Sequence, residues 1–463
     1  MLTPRPGKLL IVSLGLTHHF LFRLLVLGGT GAIGLALLDR FLHADSRRMV
    51  PLVIVSWGIS RFAVLPVLVF YTDRQGIENS VSITSAFLVF AFLTILNVDR
   101  EFVQQFVRTP VFLAFALLLV STAMTQVWYL GLIPGLGIAF TRVLEPLMVV
   151  VLLARLVRDV DGLRLASLSI VVSVTLAILI RYAAGAALGE NVVLQAVANA
   201  AGEGRVSALG SWTIYGTLCA AMIPLAIALL AIDTGSIKRL LLLAAVVLGA
   251  KEVIATGTRG ALIGLLAVFV ISMRGRARRW AVASLSGLLM AVFLFNVHFA
   301  FSGTRVLSLN VNDVLREPNT QTRLDRNLAA LHYVTQHPFS GSPLGVLHWV
   351  QGQEIGTWVY NPYLAWGTAS GLPALLTFAL IMLLTIRYAV ANWRTSTGSE
   401  RVLNVGVAAA LTVWLINQFT TGDSLTYLQS VEAASFFYAL VGIVVGYSMR
   451  PDAHPSAPGE QAA

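Results

Sequence analysis

Apolar residues in this chain come in long runs, broken by short polar connections. A helix needs about 20 predominantly apolar residues to cross the hydrocarbon core of a bilayer. By that measure the candidate spans are 23–38, 50–71, 81–96, 110–130, 139–157, 163–186, 207–232, 240–255, 260–273, 280–300, 363–386, 402–419 and 431–447. The segment 9–22 is too short for a further span and contains Thr17, His18 and His19, so it reads as an interfacial helix or an extension of the first span. One segment has a different period. From Thr322 to Gln336, Leu324, Leu328, Leu331 and Val334 recur at helical spacing, with Arg323, Asp325, Arg326 and Asn327 on other faces. That is the pattern of an amphipathic helix lying on or over a membrane.

Composition turns this pattern into a class. Of 463 residues, 57% are hydrophobic and 12% charged, with a mean hydropathy of +0.80. Soluble domains carry about 25% charged residues, so this chain could not cover a soluble globule with polar surface. The expected fold is all-α, a polytopic membrane helix bundle of about 12–13 spans with a long external loop. Its divisions are an N-terminal bundle (1–300), a loop carrying the amphipathic helix (301–362), C-terminal membrane helices (363–448) and a Pro-rich cytoplasmic tail (449–463). The first apolar run leads into Arg23 and more membrane sequence, not a small-residue cleavage site, so no cleavable leader is expected. The single cysteine, Cys219, excludes an intrachain disulfide and suggests no cysteine-based metal site.

The net charge of +10 would suggest nucleic acid in a soluble protein. Here the basic residues sit in short loops, where they orient a membrane protein. Connections with Arg40, Arg47 and Arg48, with Arg155, Arg158 and Arg164, with Lys238 and Arg239, and with Arg387, Arg394 and Arg401 read as cytoplasmic. The run Arg274-Gly-Arg-Ala-Arg-Arg279 is the strongest of them. Alternation then places 187–206, the Thr256–Gly260 turn and the loop 301–362 outside.

Ionisable side chains within membrane spans cost roughly 2.5–3.5 kcal/mol on insertion scales and are candidates for function. Arg61, Arg142, Glu145, Arg181, Lys251 and Glu252 lie within or near spans, all but Arg61 in the outer half. Arg142 and Glu145 are spaced to pair on one helix face, and Lys251 and Glu252 could simply reach the interface. Together they suggest a cationic cavity opening outward. Arg205 and Arg259 fall at the same level, Arg259 in the turn Thr256-Gly-Thr-Arg-Gly260 between two short apolar runs. Guanidinium groups hold phosphate through bidentate, charge-assisted hydrogen bonds, so such a pocket suits a lipid-linked phosphate or diphosphate.

Over about 204–375 these residues resemble the O-antigen ligase and polymerase family of bacterial membrane glycosyltransferases (Wzy/WaaL-like). The resemblance is carried by Arg205-Val-Ser-Ala-Leu-Gly210, by Thr258-Arg259-Gly260, and by Arg323 or Arg326 running on through His337-Pro338-Phe-Ser-Gly341 and Gly345. It ends with Tyr360-Asn361-Pro362-Tyr363-Leu364 and Gly371-Leu372-Pro373. It implies a GT-C-like bundle in a bacterial inner membrane that transfers glycan from a polyprenyl diphosphate carrier to a sugar hydroxyl on the periplasmic side. Implied partners are that carrier-linked glycan, the lipid bilayer and a chain-length regulator or other polysaccharide-assembly proteins; no nucleic acid is expected.

Arg205 and Arg259 are the expected catalytic cations, with Arg323 or Arg326 as a third, and Asn361, Arg181 and Arg142 are expected to bind substrate. Where the family usually has histidine, this chain has Tyr360, a poor base at neutral pH that can still hydrogen-bond the acceptor and pack against a sugar ring, and it is kept among the expected catalytic residues. His337, ahead of His332, His348 and Glu354, is the expected substitute. No Asp-rich metal motif occurs, so a cofactor-free, metal-independent, inverting transfer is expected. The altered histidine favours a polymerase of O-antigen or exopolysaccharide over a ligase acting on the lipopolysaccharide core. The alternatives from other classes are a transporter and a non-catalytic carrier-lipid-binding protein.

Overall fold

The computed structural model describes residues 66–72, 78–82, most of 88–96, 99–188, 212–272 apart from 234 and 257, 318–342, 348–350, 353–355, 359, 361–420 and 431–450. The protein is an all-α polytopic helix bundle. Among the described residues, six helices are long and apolar enough to cross a membrane. The candidate spans 23–38 and 280–300 lie outside the described residues, as do the N-terminal segment, the 274–279 basic run and most of the C-terminal tail.

In chain order the helices are α1 (Arg100–Val107), α2 (Pro110–Leu130), α3 (Leu132–Ala139), a π-helical turn (Phe140–Leu144), α4 (Glu145–Leu156) and α5 (Val160–Leu188). Then follow α6 (Trp212–Ile232), α7 (Ser236–Thr256), α8 (Arg259–Ser272) and the loop helix α9 (Pro318–Gln336). The last three are α10 (Pro362–Thr395), α11 (Gly398–Thr420) and α12 (Val431–Ser448). Two short antiparallel hairpins accompany them: β1 (Pro66–Thr72) with β2 (Glu78–Ser82), and β3 (His348–Val350) with β4 (Gln353–Ile355).

The first hairpin corrects the sequence reading. The end of the 50–71 candidate and the start of the 81–96 candidate are strands, with Leu68 opposite Val81 and Thr72 opposite Glu78. Pro-Val-Leu-Val-Phe-Tyr-Thr is as apolar as a span. It is nevertheless short, rich in β-branched and aromatic residues, and bounded by proline, which favours a strand.

Small residues let the helices approach. A Cβ on Gly446 would lie 2.4 Å from the Ala154 carbonyl oxygen, and one on Gly442 2.7 Å from that of Val150, so α12 and α4 touch backbone to backbone. Gly406 of α11 meets Ala228 and the Pro224 carbonyl of α6 in the same way.

Polar contacts define two ends of this bundle. At one, Arg155 pairs with Asp99, Arg158 donates to Gln105 at 3.2 Å, and Arg164 pairs with Asp233 at 2.9 Å. Arg239 donates to the Asp233 carbonyl at 2.6 Å, and Arg450 pairs with Glu400 at 2.8 Å. Lys238, Arg394 and Arg401 occupy termini of helices at this same end. The described connections that the charge pattern grouped together therefore share one face of the bundle.

Candidate functional site

The opposite end carries most of the sequence-derived candidates, in two clusters. The first is built where α9 meets α10. Asn361 caps α10: its Oδ1 accepts from the Tyr363 and Leu364 amides at 2.9 and 3.2 Å, with Pro362 in the first turn. This is the N-terminal arrangement that helix geometry favours. The helix then breaks at Ser370 and Gly371, the latter at φ +79°.

The break receives the chain that leaves α9. The Leu372 amide donates to the Pro338 carbonyl at 2.6 Å. Gly341 (φ +57°) lies so close that a Cβ there would stand 2.7 Å from the Ser370 nitrogen. Only glycine tolerates both the approach and the backbone conformation. Tyr333 and Tyr129 both donate to the Gly341 carbonyl, at 3.0 and 3.3 Å. Burial, ahead of the neighbouring Tyr129, raises the pKa of the Tyr333 hydroxyl above its ordinary 10.0, which keeps it a donor.

Gln126 of α2 completes the cluster. Fully buried, its Nε2 donates to the Ala369 carbonyl at 2.8 Å and more weakly to that of Ser342 at 3.4 Å. In an unbroken helix that Ala369 carbonyl would accept from residue 373, which is proline and has no N–H. Gln126 supplies the missing donor. The two motif segments His337–Gly341 and Gly371–Pro373, some thirty residues apart in sequence, are thus one structural unit.

Helix α9 carries Arg323 and Arg326, both half-buried and both engaged with neighbours. It packs on α10 through Ala329, Ala330, Tyr333 and Val334, leaving Leu324, Leu328 and Leu331 about half exposed. The leucine stripe is therefore not what binds the helix to the protein, and Val334, read as part of that stripe, belongs to the buried face. His337 lies just past the helix, exposed, its ring 4.6 Å from that of Tyr333.

The second cluster joins α5, α6, α7 and α8. Thr256 ends α7 and Arg259 begins α8, so the expected tight turn is present. It presses on α6: a Cβ on Gly216 would lie 2.5 Å from the Thr256 hydroxyl and 2.7 Å from that of Thr258. One turn earlier, Lys251 and Glu252 diverge as adjacent helical positions must. Lys251 is exposed, its ammonium 4.5 Å from the centre of the Tyr182 ring. Glu252 does not reach an interface. It is fully buried, and its Oε1 accepts a short hydrogen bond from the Tyr182 hydroxyl.

Arg142 and Glu145 are 5% and 2% exposed, and both have partners. Arg142 lies within the π-helical turn and Glu145 directly follows it; such turns recur at functional sites. Arg181 and Arg259 are placed as backbone positions of α5 and α8. Arg205, Tyr360 and Gly345 lie outside the described residues, so the convergence of Arg205 with Arg259 is not displayed.

Sequence reasoning passed over Gln126, Tyr129, Tyr333 and Tyr182. A signal existed for two of them. Thr122, Thr125, Gln126 and Tyr129 recur at three- and four-residue steps within an otherwise apolar span, which puts a polar stripe on one face of α2.

Fold and polar clusters together define a multi-pass membrane protein with a basic rim at one end and a broken-helix polar site at the other. Comparison with protein-family models, curated proteins and solved structures returns no match.

Proposed function

We propose that the protein is a membrane glycosyltransferase of surface polysaccharide assembly. It acts on polyprenyl-diphosphate-linked glycan at the periplasmic end of the bundle, opposite the basic rim, in a bacterial inner membrane. The observation that carries this reading is the docking of the arginine-bearing helix α9 onto the break in α10, at the same end as the Thr256–Arg259 turn. Both sequence segments belong to the pattern for which the family resemblance was drawn. The basic rim supports the orientation, because Lys and Arg concentrate on the cytoplasmic side of membrane proteins.

Chemically, attack of a sugar hydroxyl on the anomeric carbon breaks its bond to phosphate, and the diphosphate leaves with the electron pair. Arg259 and Arg205, with Arg323 or Arg326, meet the negative charge as it grows. Fixed cations in a water-poor site stabilise that transition state more than the ground state. A polymerase, whose acceptor is a second carrier-linked repeat unit, is favoured over a ligase.

The test is purified protein in nanodiscs supplied with polyprenyl-diphosphate oligosaccharide. Glycan transfer with release of polyprenyl diphosphate, lost in Arg259→Ala at unchanged expression, supports the reading. Movement of the carrier without bond cleavage would establish a transporter instead.

A further inference from the structure

The proposed reaction needs a destination for the acceptor hydroxyl's proton, and Tyr360 is a poor substitute for histidine as a base. The second cluster holds a group suited to the task. Glu252 is sealed inside the bundle, whereas Tyr182, whose hydroxyl is bonded to its carboxylate, is partly accessible. The phenol thus links the buried carboxylate to a partly accessible side chain of α5. Lys251, exposed, sets a positive charge over the same ring. Glu252 lies in the last turns of α7, one helical turn before Thr256 and directly ahead of the turn that leads into Arg259.

We infer that Tyr182 and Glu252 form a proton relay for the acceptor hydroxyl, an inference that rests on the transferase reading. As the acceptor oxygen bonds to the anomeric carbon and diphosphate departs with its electron pair, the hydroxyl proton passes to Tyr182 Oη. The phenolic proton of Tyr182 passes to Glu252 Oε1 in the same movement. Tyr182 leaves the step neutral and Glu252 leaves it protonated, returning its proton by the reverse path once product has gone. Negative charge on the phenol oxygen in transit is favoured by the Lys251 ammonium. Lys251 and Glu252 both act electrostatically on Tyr182.

Two measurements test this. The first needs no substrate: time-resolved infrared spectroscopy after an acidifying pH jump, on the full chain in nanodiscs. The chain has 22 Asp and Glu residues, so the signal is the protonated-carboxyl component of the wild type that is missing from Glu252→Gln; it is expected at least about tenfold slower to appear in Tyr182→Phe, because the relay's donor is gone. No component that separates wild type from Glu252→Gln, or equal rates with and without the phenol, overturns the relay. The second is turnover of the carrier-linked glycan: kcat is expected to fall by about 10²- to 10⁴-fold in both variants at unchanged KM. Unchanged kcat overturns the relay, and a rise in KM alone assigns the pair to binding and also overturns it. Glu252→Gln keeps an acceptor oxygen for Tyr182, so its folding is expected to be preserved. If the wild type itself does not turn over, the transferase reading falls, while the infrared result still decides the relay.

Discussion

Replacing Gln126 with leucine removes its whole amide at nearly constant volume, and with it the donor to the break in α10 and the weaker bond to Ser342. The Ala369 carbonyl would lose its 2.8 Å bond inside a fully buried site. Side-chain hydrogen bonds within membrane proteins average only about 0.6 kcal/mol, because the unfolded state in the membrane also finds partners. The larger figure applies here. Pro373 has no N–H to offer, and the Leu372 amide is already committed to Pro338, so the carbonyl is left buried and unsatisfied. That costs about 1–3 kcal/mol.

Unfolding by detergent titration from bicelles should show a loss of that size. Hydrogen exchange should rise about 5- to 150-fold at the amides of Gly341 and Leu372, which report the docked turn and the break. A variant within about 0.5 kcal/mol of wild type, with exchange unchanged over 338–342 and 369–372, would refute the idea that Gln126 stands in for the missing helix donor.

Two further expectations concern the ends of the bundle. At the basic rim, the Gly235 amide first and then the Arg164 guanidinium hold the Asp233 carboxyl below its ordinary 3.8. A lowered folded-state pKa contributes stability that is present above the unfolded value and lost as pH falls through the folded one. Unfolding midpoints should therefore drop below about pH 3.8 more steeply in wild type than in Asp233→Asn; equal slopes would remove the contribution. At the other end, Leu324, Leu328 and Leu331 are half-exposed, and an amphipathic helix lays such a stripe on lipid; nitroxide labels there should therefore be accessible to oxygen and not to a water-soluble nickel reagent. Water-like accessibility at all three would lift α9 off the membrane.

Much of the bundle was legible because a span is a long, uniform signal. The expected 110–130 span is α2 residue for residue, and 431–447 differs from α12 by a single position. Boundaries failed where composition changes but packing does not. Helix α10 runs on through Arg387, Tyr388 and Arg394 to Thr395, since long side chains lay their apolar stems along the helix while their polar heads reach outward. Periodicity also could not choose between two apolar environments for α9. It identified the leucines, but the face that packs on protein is the one with Ala329, Ala330 and Tyr333, where small residues permit close approach.

The site was legible where glycine and proline mark a break, as in Gly371-Leu372-Pro373, and where arginine stands in a turn, as in Thr258-Arg259-Gly260. It was hidden where a neutral side chain does the satisfying. Gln126 carries no charge and sits in an apolar run, so its role emerged only with the carbonyl it meets. Glu252 was visible as a charge, but its depth was not. Adjacent positions on one helix, Lys251 exposed and Glu252 buried, are distinguished by the neighbours that only the fold supplies.

That depth leads to the last expectation. The ion pairs of the basic rim are partly solvated: the side chains of Arg164 and Asp233 are 40% and 13% exposed, those of Arg450 and Glu400 16% and 28%. Such pairs need little further account, since they orient the chain and cost little desolvation. Glu252 is different, because burying a carboxylate costs several kcal/mol that a neutral residue would not incur. A residue kept for stability and one kept for proton transfer respond in opposite ways to Glu252→Gln. If the carboxylate anchors the helices, loss of its charge removes about 3–5 kcal/mol. If it serves the relay, the amide still accepts from Tyr182, the desolvation cost falls, and the variant unfolds at or above the wild-type midpoint while turnover is lost. Thermal unfolding of the two proteins in the same nanodiscs separates these outcomes, and a midpoint well below wild type would return Glu252 to the structural scaffold.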